Sequence, residues 1–443
     1  MMTDHKSKKI LMLEKILRQM AVLVLKRHKP QIVGITGSVG KTSAKEAIAT
    51  VLEKKLRVRK TEKNYNNEIG LPLTIIGAES GERSLWGWMK VALKWIWVIL
   101  APIKYPEVLV LEMGADRPGD IQYLVDFIKP NMAVITDISW SHVEFFKDVE
   151  GVAKEKGTLV RELNEKGLAV LNVDNPYIAK LKNQAKCNVI SFGFSEEADM
   201  KATDITFSYD EANQNPKGLS FKLNFKGTSI PVRLPNILAK HQIYSALAAA
   251  AIGTQFDINL VEIGLALENF VSPCGRMNLV KGIKETHIID DTYNSSPTSV
   301  AAAIDALNEL HASSENFSRK IVVLGDMLEL GEESGAKHKD VAKKFLAIKG
   351  NLFFAVGERM QSAVNELEKN NFPESAIFHF ENPMEAGRKL QEIMQKGDLI
   401  LVKGSQGMRM EKVVEEVMAD PQNAESLLCR QSQHWREIPW RKV

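Results

Sequence analysis

The sequence predicts an α/β protein: a central unit with a mostly parallel sheet around a phosphate-binding loop, then a smaller doubly wound unit. Three observations predict it. Residues 31–55, QIVGITGSVGKTSAKEAIATVLEKK, read as an apolar strand, a Gly-rich turn and an amphipathic helix. Apolar strands then alternate with helical stretches at 108–112 (VLVLE), 132–136 (MAVIT) and 168–172 (LAVLN), the pattern of a parallel sheet. After Pro273 the alternation starts afresh with THIID (286–290), KIVVLG (320–325), LFFAVG (352–357) and DLILVKG (398–404), a Rossmann-like arrangement.

In chain order, residues 9–28 have helical periodicity, with Ile10, Leu13, Ile16, Leu17, Met20, Leu23 and Val24 spaced for one face and basic residues around much of the rest. Pro30 closes that segment. The central unit is expected over 31–273, with alternating, more antiparallel-like strands between about 200 and 234 and an Ala-rich helix at 241–253. The C-terminal unit is expected over 274–443, its last part (420–443) a polar tail of uncertain order. Residues 1–30 form the basic N-terminal segment.

The bulk numbers exclude some classes. The chain has 443 residues, enough for two or three domains, and its 44% hydrophobic and 26% charged residues are those of a globular protein. Lys and Arg total 58 against 55 for Asp and Glu, too balanced to argue for nucleic-acid binding. Cys187, Cys274 and Cys429 lie far apart without metal or redox spacing, so reduced, buried thiols in a cytoplasmic protein are expected. No secretory signal is read at the start, because Glu14, Arg18, Lys26 and Arg27 break its apolar stretch. Residues 84–106, SLWGWMKVALKWIWVILAPIKYP, are Trp-rich, but Lys90, Lys94 and Lys104 interrupt them and nine uncharged residues separate the last two. A spanning helix needs roughly 20 apolar residues, so the segment is a poor transmembrane candidate.

The strongest chemical signal is GITGSVGKTS, 34–43. Phosphate chemistry needs inward backbone N–H groups, a cation and a hydroxyl for Mg²⁺. The loop Thr36, Gly37, Ser38, Val39, Gly40, Lys41, Thr42 and Ser43 offers all three: Gly37 and Gly40 to wrap the backbone, Lys41 to neutralise charge, Thr42 to ligate metal. The strict pattern has Gly at the position of Ile35, so this is a variant of it. Downstream stand Glu112 at a strand end, His142 in ITDISWSHVEFF and Lys156 on a helix. Alone, these read as a strand-end carboxylate, a capping histidine and a surface lysine. With the loop they suggest a metal–phosphate centre.

TEKNYNNEIGLPLT (61–74), LEMGADRPGDI (111–121), LNVDNP (171–176), GRMNLV (275–280), IIDDTYNSSPTSV (288–300), VVLGDMLELGEES (322–334) and VKGSQGMRME (402–411) together resemble the Mur ligase family, from about residue 31 to about 418. The resemblance implies an ATP-dependent ligase that joins a carboxylate to an amine through an acyl phosphate. The branch it favours adds D-alanyl-D-alanine to a muramoyl-tripeptide peptidoglycan precursor in the cytoplasm. It implies ATP and two Mg²⁺ ions, with Thr42 and Glu112 on the first and His142 on the second. Lys156 matches a lysine whose carbamylation makes it a carboxylate-like ligand. Arg276 and Asp291 match ATP contacts, with Asn175 and His241 in the nucleotide site. Lys41, Lys156, His142 and Arg276 are the implied catalytic set, and Asn64, Asn66, Asn67, Asn294, Lys403 and Ser405 the implied substrate contacts.

The sequence departs from that pattern in three places. One helix precedes the phosphate loop where a UDP-binding domain is expected. Residues 81–106 look like an insertion, read either as packing with helix 9–28 as a small substitute domain, as lying with it in the membrane interface, or as a partner contact. Ala239, Gln242 and Ser245 replace the usual Gly and Asn residues of the adenine pocket, and Ser295, Ser296 and Gln406 also differ from expectation. Rival readings are a family ligase acting on a lipid-linked or non-UDP acceptor, as in polyglutamate synthases, and an inactive nucleotide-binding scaffold.

Overall fold

A computed structural model describes residues 8–62, 65–82, 84–140, 143–210 and 216–438. Chain order begins α1 (Lys8–His28), β1 (Gln31–Thr36), α2 (Lys41–Leu52), β2 (Val58–Lys60), α3 (Gly70–Ile76), α4 (Leu85–Leu100), β3 (Val108–Glu112), β4 (Met132–Ile135), β5 (Leu168–Asn172) and β6 (Asn188–Gly193). β7 (Met200–Tyr209), β8 (Pro216–Phe225) and β9 (Thr228–Leu234) complete a nine-stranded sheet of order β2-β3-β1-β4-β5-β6-β7-β8-β9. Pairings from β2 to β7 are parallel and the last two antiparallel. β3, β4 and β5 are buried along their length, which is why they read as unbroken apolar runs. β1 lies between β3 and β4, so the chain leaves it at a reversal of strand order, where open α/β sheets bind ligands.

On one face of this sheet α2 and the helix Ile243–Gly253 pack together. The approach is close enough to need glycine at one point: a Cβ on Gly253 would stand 2.8 Å from Val51 Cγ1. α1, α3 and α4 cover the other face with the helices Asp120–Ile128 and Val149–Arg161. The spacing that places Ile10, Ile16 and Leu23 on the packed face of α1 is overturned. Leu17, Ala21 and Val24 are buried, while those three are exposed.

β10 (Asn278–Gly282), β11 (Thr286–Asp291), β12 (Arg319–Gly325), β13 (Leu352–Val356), β14 (Ile377–Phe380) and β15 (Asp398–Lys403) form a second sheet of order β10-β11-β15-β12-β13-β14. Only the β10–β11 pairing is antiparallel. Polar links join the two units: Tyr209 Oη donates to Ser313 O at 2.8 Å, and Lys240 pairs with Glu309 at 3.0 Å.

Two expectations are corrected. The C-terminal stretch is packed through residue 438, because Arg430 enters the interior and bonds Glu411 (2.8 Å) and the carbonyls of Thr292 and Tyr293. Of the cysteines only Cys429 is buried; Cys187 is half-buried and Cys274 exposed. Among the described residues no helix is long and apolar enough to cross a membrane.

Candidate active site

The carboxyl end of β1 runs into the loop 37–40 and the N-terminus of α2. Gly37 has no room for a side chain, since a Cβ there would meet Thr136 Oγ1 at 2.1 Å, and Gly40 is left-handed at φ 84°. Both therefore need glycine. Thr136 clamps the loop by donating to Val39 O (2.6 Å). Ser38 N donates to Asp137 O, and Ser38 Oγ to Ser139 O. Thr36 is buried and donates to Met113 O. The loop is thus fixed from behind, with the α2 terminus open to an anion.

A cavity of about 1070 Å³ lies between the two sheets' carboxyl ends. Ser38 to Ser43, Asn66, Asn67, Glu112, Lys156, His241, Arg276, Asp291, Asn294 and Lys403 all line it. Thr36, Gly37, Asn175 and Ser405 stand behind that wall. Asn175 caps the helix Pro176–Ala179 and donates to Asp137 Oδ1 at 2.9 Å. Ser405 Oγ accepts from Leu328 N at 2.9 Å. Asn64 and His142 lie outside the described residues.

Lys41 donates to Gly37 O at 2.7 Å, and burial lowers its pKa against the pull of Glu112. Lys156 is no surface lysine: its side chain is 2% exposed, and desolvation, then repulsion from Lys41, brings its pKa down to about 7. A cation so placed either loses its proton or needs an anion. Glu112 ends β3 and accepts from Asn66 Nδ2 at 3.3 Å. Asn67 Oδ1 accepts from Gly70 N at the start of α3.

Across the cavity Arg276 Nη2 donates to Thr42 Oγ1 at 3.0 Å, and its guanidinium lies 4.2 Å from the Tyr293 ring. Asp291 and Lys403 are register partners on β11 and β15 and pair at 2.7 Å. Lys403 also donates to Asn294 O at 2.7 Å. His241 has its pKa lowered by burial, despite Asp291 nearby. Gln242 lines the cavity and ties the helix start to the linker, donating to Ser272 Oγ (2.7 Å) and Arg276 O (3.1 Å). Ser245, Ser295, Ser296 and Gln406 line the cavity too, whereas Ala239 is buried in the second core.

Sequence reasoning missed Asp116, Asp137 and Tyr293. Asp137 follows β4 as Glu112 ends β3, a parallel that could have singled it out. Burial raises its pKa, opposed by hydrogen bonds from Ser139 and Asn175. Asp116 acts on both Lys41 and Lys156.

The residues present fit a magnesium nucleotide. Among the described residues no three His, Cys, Asp or Glu side chains gather to hold a metal alone. A hydroxyl (Thr42) and a carboxylate (Glu112) beside a phosphate cradle are instead the hard oxygen donors that Mg²⁺ shares with phosphates.

The Mur ligase middle domain family matches residues 35–253, and the Mur ligase, glutamate ligase domain family residues 275–406. The UDP-N-acetylmuramoyl-tripeptide–D-alanyl-D-alanine ligase of Bacillus subtilis (strain 168) is 32% identical over 405 residues, covering 91% of this chain and 79% of that protein. The MurF ligase of Thermotoga maritima, solved in complex with ADP, superposes with a TM-score of 0.73 at 26% identity, over 91% of this chain and 83% of that one. MurF from Acinetobacter baumannii, at 24% identity and a TM-score of 0.74 over 91% and 80%, shares the fold.

Proposed function

The chain belongs to the Mur ligase family of ATP-dependent peptide ligases, and from that premise we propose that it adds D-alanyl-D-alanine to a muramoyl-tripeptide precursor. The observation that carries the reading is the single cleft that gathers the phosphate loop, Glu112, Lys156, Arg276, Asp291 and the Asn66–Asn67 turn. Sequence identity across nearly the whole chain to a dipeptide-adding ligase supports the substrate pair. We take 1–30, 31-273 and 274-443 as the functional divisions, with the cleft between the last two.

ATP is the substrate of the N-terminal wall. The α2 terminus and Lys41 hold its phosphates, and Arg276 approaches them from the linker, with Asp291 and His241 toward the nucleoside. Thr42 and Glu112 would hold one Mg²⁺ and His142 with Lys156 a second, and these ions would supply positive charge between anions that otherwise repel. At a pKa near 7 a good fraction of Lys156 is neutral, the form that adds CO₂ to become a carbamate; protonated, its ammonium has no lone pair for a metal. The wall positions the tripeptide carboxylate for attack on the γ-phosphate, with Asn66 and Asn67 at the acceptor side. An amine then displaces phosphate from the acyl group. Lys403, Asn294 and Ser405 shape the opposite wall, where the dipeptide enters. Closing the cleft excludes water, which would otherwise hydrolyse the acyl phosphate.

The test is ligation of D-alanyl-D-alanine to UDP-N-acetylmuramoyl-tripeptide with ATP, read by product mass. The expected product is the pentapeptide with one ADP and one phosphate. ATP binding without that product overturns the substrate assignment while leaving the ligase class intact.

A further inference from the structure

We propose that α1 and α4 form a docking surface for an anionic phospholipid bilayer, with α4 lying in the interface plane. α4 has two apolar faces and the fold uses one. Val91 and Val98 are buried, Trp95 Nε1 donates to Met20 O at 3.0 Å, and His28 Nε2 donates to Val98 O at 2.9 Å. These contacts pin α4 onto α1. The other face leaves Leu85 (89% exposed), Trp86 (61%), Leu93 (58%), Trp97 (60%) and Leu100 (73%) in solvent. At 100° per residue these side chains fall within an arc of about 120°. The helix is about 24 Å long at 1.5 Å per residue, so this is a continuous strip and not scattered side chains.

Charge selects the occupant. Residues 8–29 and 84–105 together hold ten Lys and Arg and one acid, Glu14, a net +9 in a chain whose total is +3; the rest of the chain is therefore net −6. Glu14 is buried, and nine of the ten cations are exposed; only Arg18 turns inward, over the Tyr123 and Phe127 rings. Lys90 and Lys94 border the apolar arc of α4, and on α1 Lys15, Lys26 and Arg27 lie beside the exposed Met12, Ile16 and Leu23. A second copy of the chain would set lysine against lysine with no exposed acid on either helix to pair with them. An anionic headgroup layer over acyl chains satisfies both features, and an apolar face plus a basic patch is the two-signal combination that holds a protein at a membrane. Trp and Lys are also the residues that settle at that boundary.

α3 connects this surface to the cleft: it packs against both α1 and α4, and it starts from the turn whose Asn66 and Asn67 line the cavity. Docking therefore brings the acceptor side of the cleft close to the bilayer surface. This inference stands apart from the substrate assignment, because vesicle binding is read without substrates.

The full chain is sedimented with vesicles of phosphatidylcholine, with or without about a third phosphatidylglycerol, at low and high salt. Binding is expected to the anionic vesicles only, to weaken with salt, and to fall at least about tenfold in Leu93→Glu/Trp97→Glu and in Lys90→Glu/Lys94→Glu. Both variants change exposed side chains, so unchanged melting and nucleotide binding are expected alongside. No binding of the unaltered chain, equal binding to neutral vesicles, or a concentration-dependent dimer that Leu93→Glu dissolves would each overturn the proposal.

Discussion

The two walls of the cleft carry cations in opposite states. On the nine-stranded side Lys156 is buried and Lys41 half-buried, both with pKa values lowered by desolvation, and among the described residues neither sits in an ion pair. On the six-stranded side Lys403 is as buried as Lys156 but already paired with Asp291 at 2.7 Å, and Arg430 and Arg409 both pair with Glu411. A desolvated cation without a counter-ion costs stability and is kept where an anion arrives. One that is paired holds shape. The first wall is built to receive charge and the second to keep its loops in place.

Breaking the first wall is expected to cost turnover and little stability. Lys41→Ala should lower kcat by about a thousandfold, the scale of losing one preorganised charge contact in a dry site. Product formation at saturating ATP, with melting temperature as the control, checks this. Lys156→Ala and Lys156→Arg should both lower kcat, by about a hundredfold, since an arginine cannot lose its proton to take up CO₂. Recovery of full activity in Lys156→Arg would show that only a cation is needed there.

Breaking the second wall is expected to do the reverse. Arg430→Ala leaves Glu411 facing Arg409 alone and frees the carbonyls of Thr292 and Tyr293. Its expected cost is about 3 kcal/mol of stability, the scale for opening a buried ion pair, read by denaturant unfolding. Arg276 sits on the boundary, and Arg276→Ala should raise KM for ATP about tenfold by loss of a charge-assisted contact, with a smaller change in kcat.

The smallest effect concerns pH. Burial raises the pKa of Asp290 from 3.8 to about 6. The folded chain then binds this proton more tightly than the unfolded one, so the contribution to stability is largest below pH 4 and is lost as pH rises to 6. Asp290→Asn should flatten that part of the stability profile, measured by unfolding at several pH values.

Much of the nine-stranded wall was legible in the sequence because its residues sit where an apolar strand meets a turn: Gly37 to Ser43 after β1, Glu112 at the end of β3. Lys156 was legible only through the family resemblance. Its burial comes from the packing of a helix against the sheet, which periodicity around one lysine cannot report. Asp291 and Lys403 stand 112 positions apart and meet only through the β11–β15 register, so their pairing was hidden. β2 (VRK), β10 (NLVKG) and β14 (IFHF) passed unnoticed because they are only partly buried and lack the unbroken apolar run of β3, β4 and β5. Arg430 was hidden by composition, since a polar, Trp- and Arg-containing end reads as loose until a buried Glu411 accounts for it. In α4 the sequence shows a Trp-rich apolar run interrupted by Lys90 and Lys94, and only the fold separates the face it covers from the face it leaves exposed.

The most direct measurement follows the oxygen of the acceptor. A muramoyl tripeptide labelled with oxygen-18 in its terminal carboxylate is ligated to D-alanyl-D-alanine, and the released phosphate is weighed. If the carboxylate attacks ATP in this cleft, one labelled oxygen passes to each phosphate released. Amide product accompanied by unlabelled phosphate would contradict activation of the acceptor as an acyl phosphate.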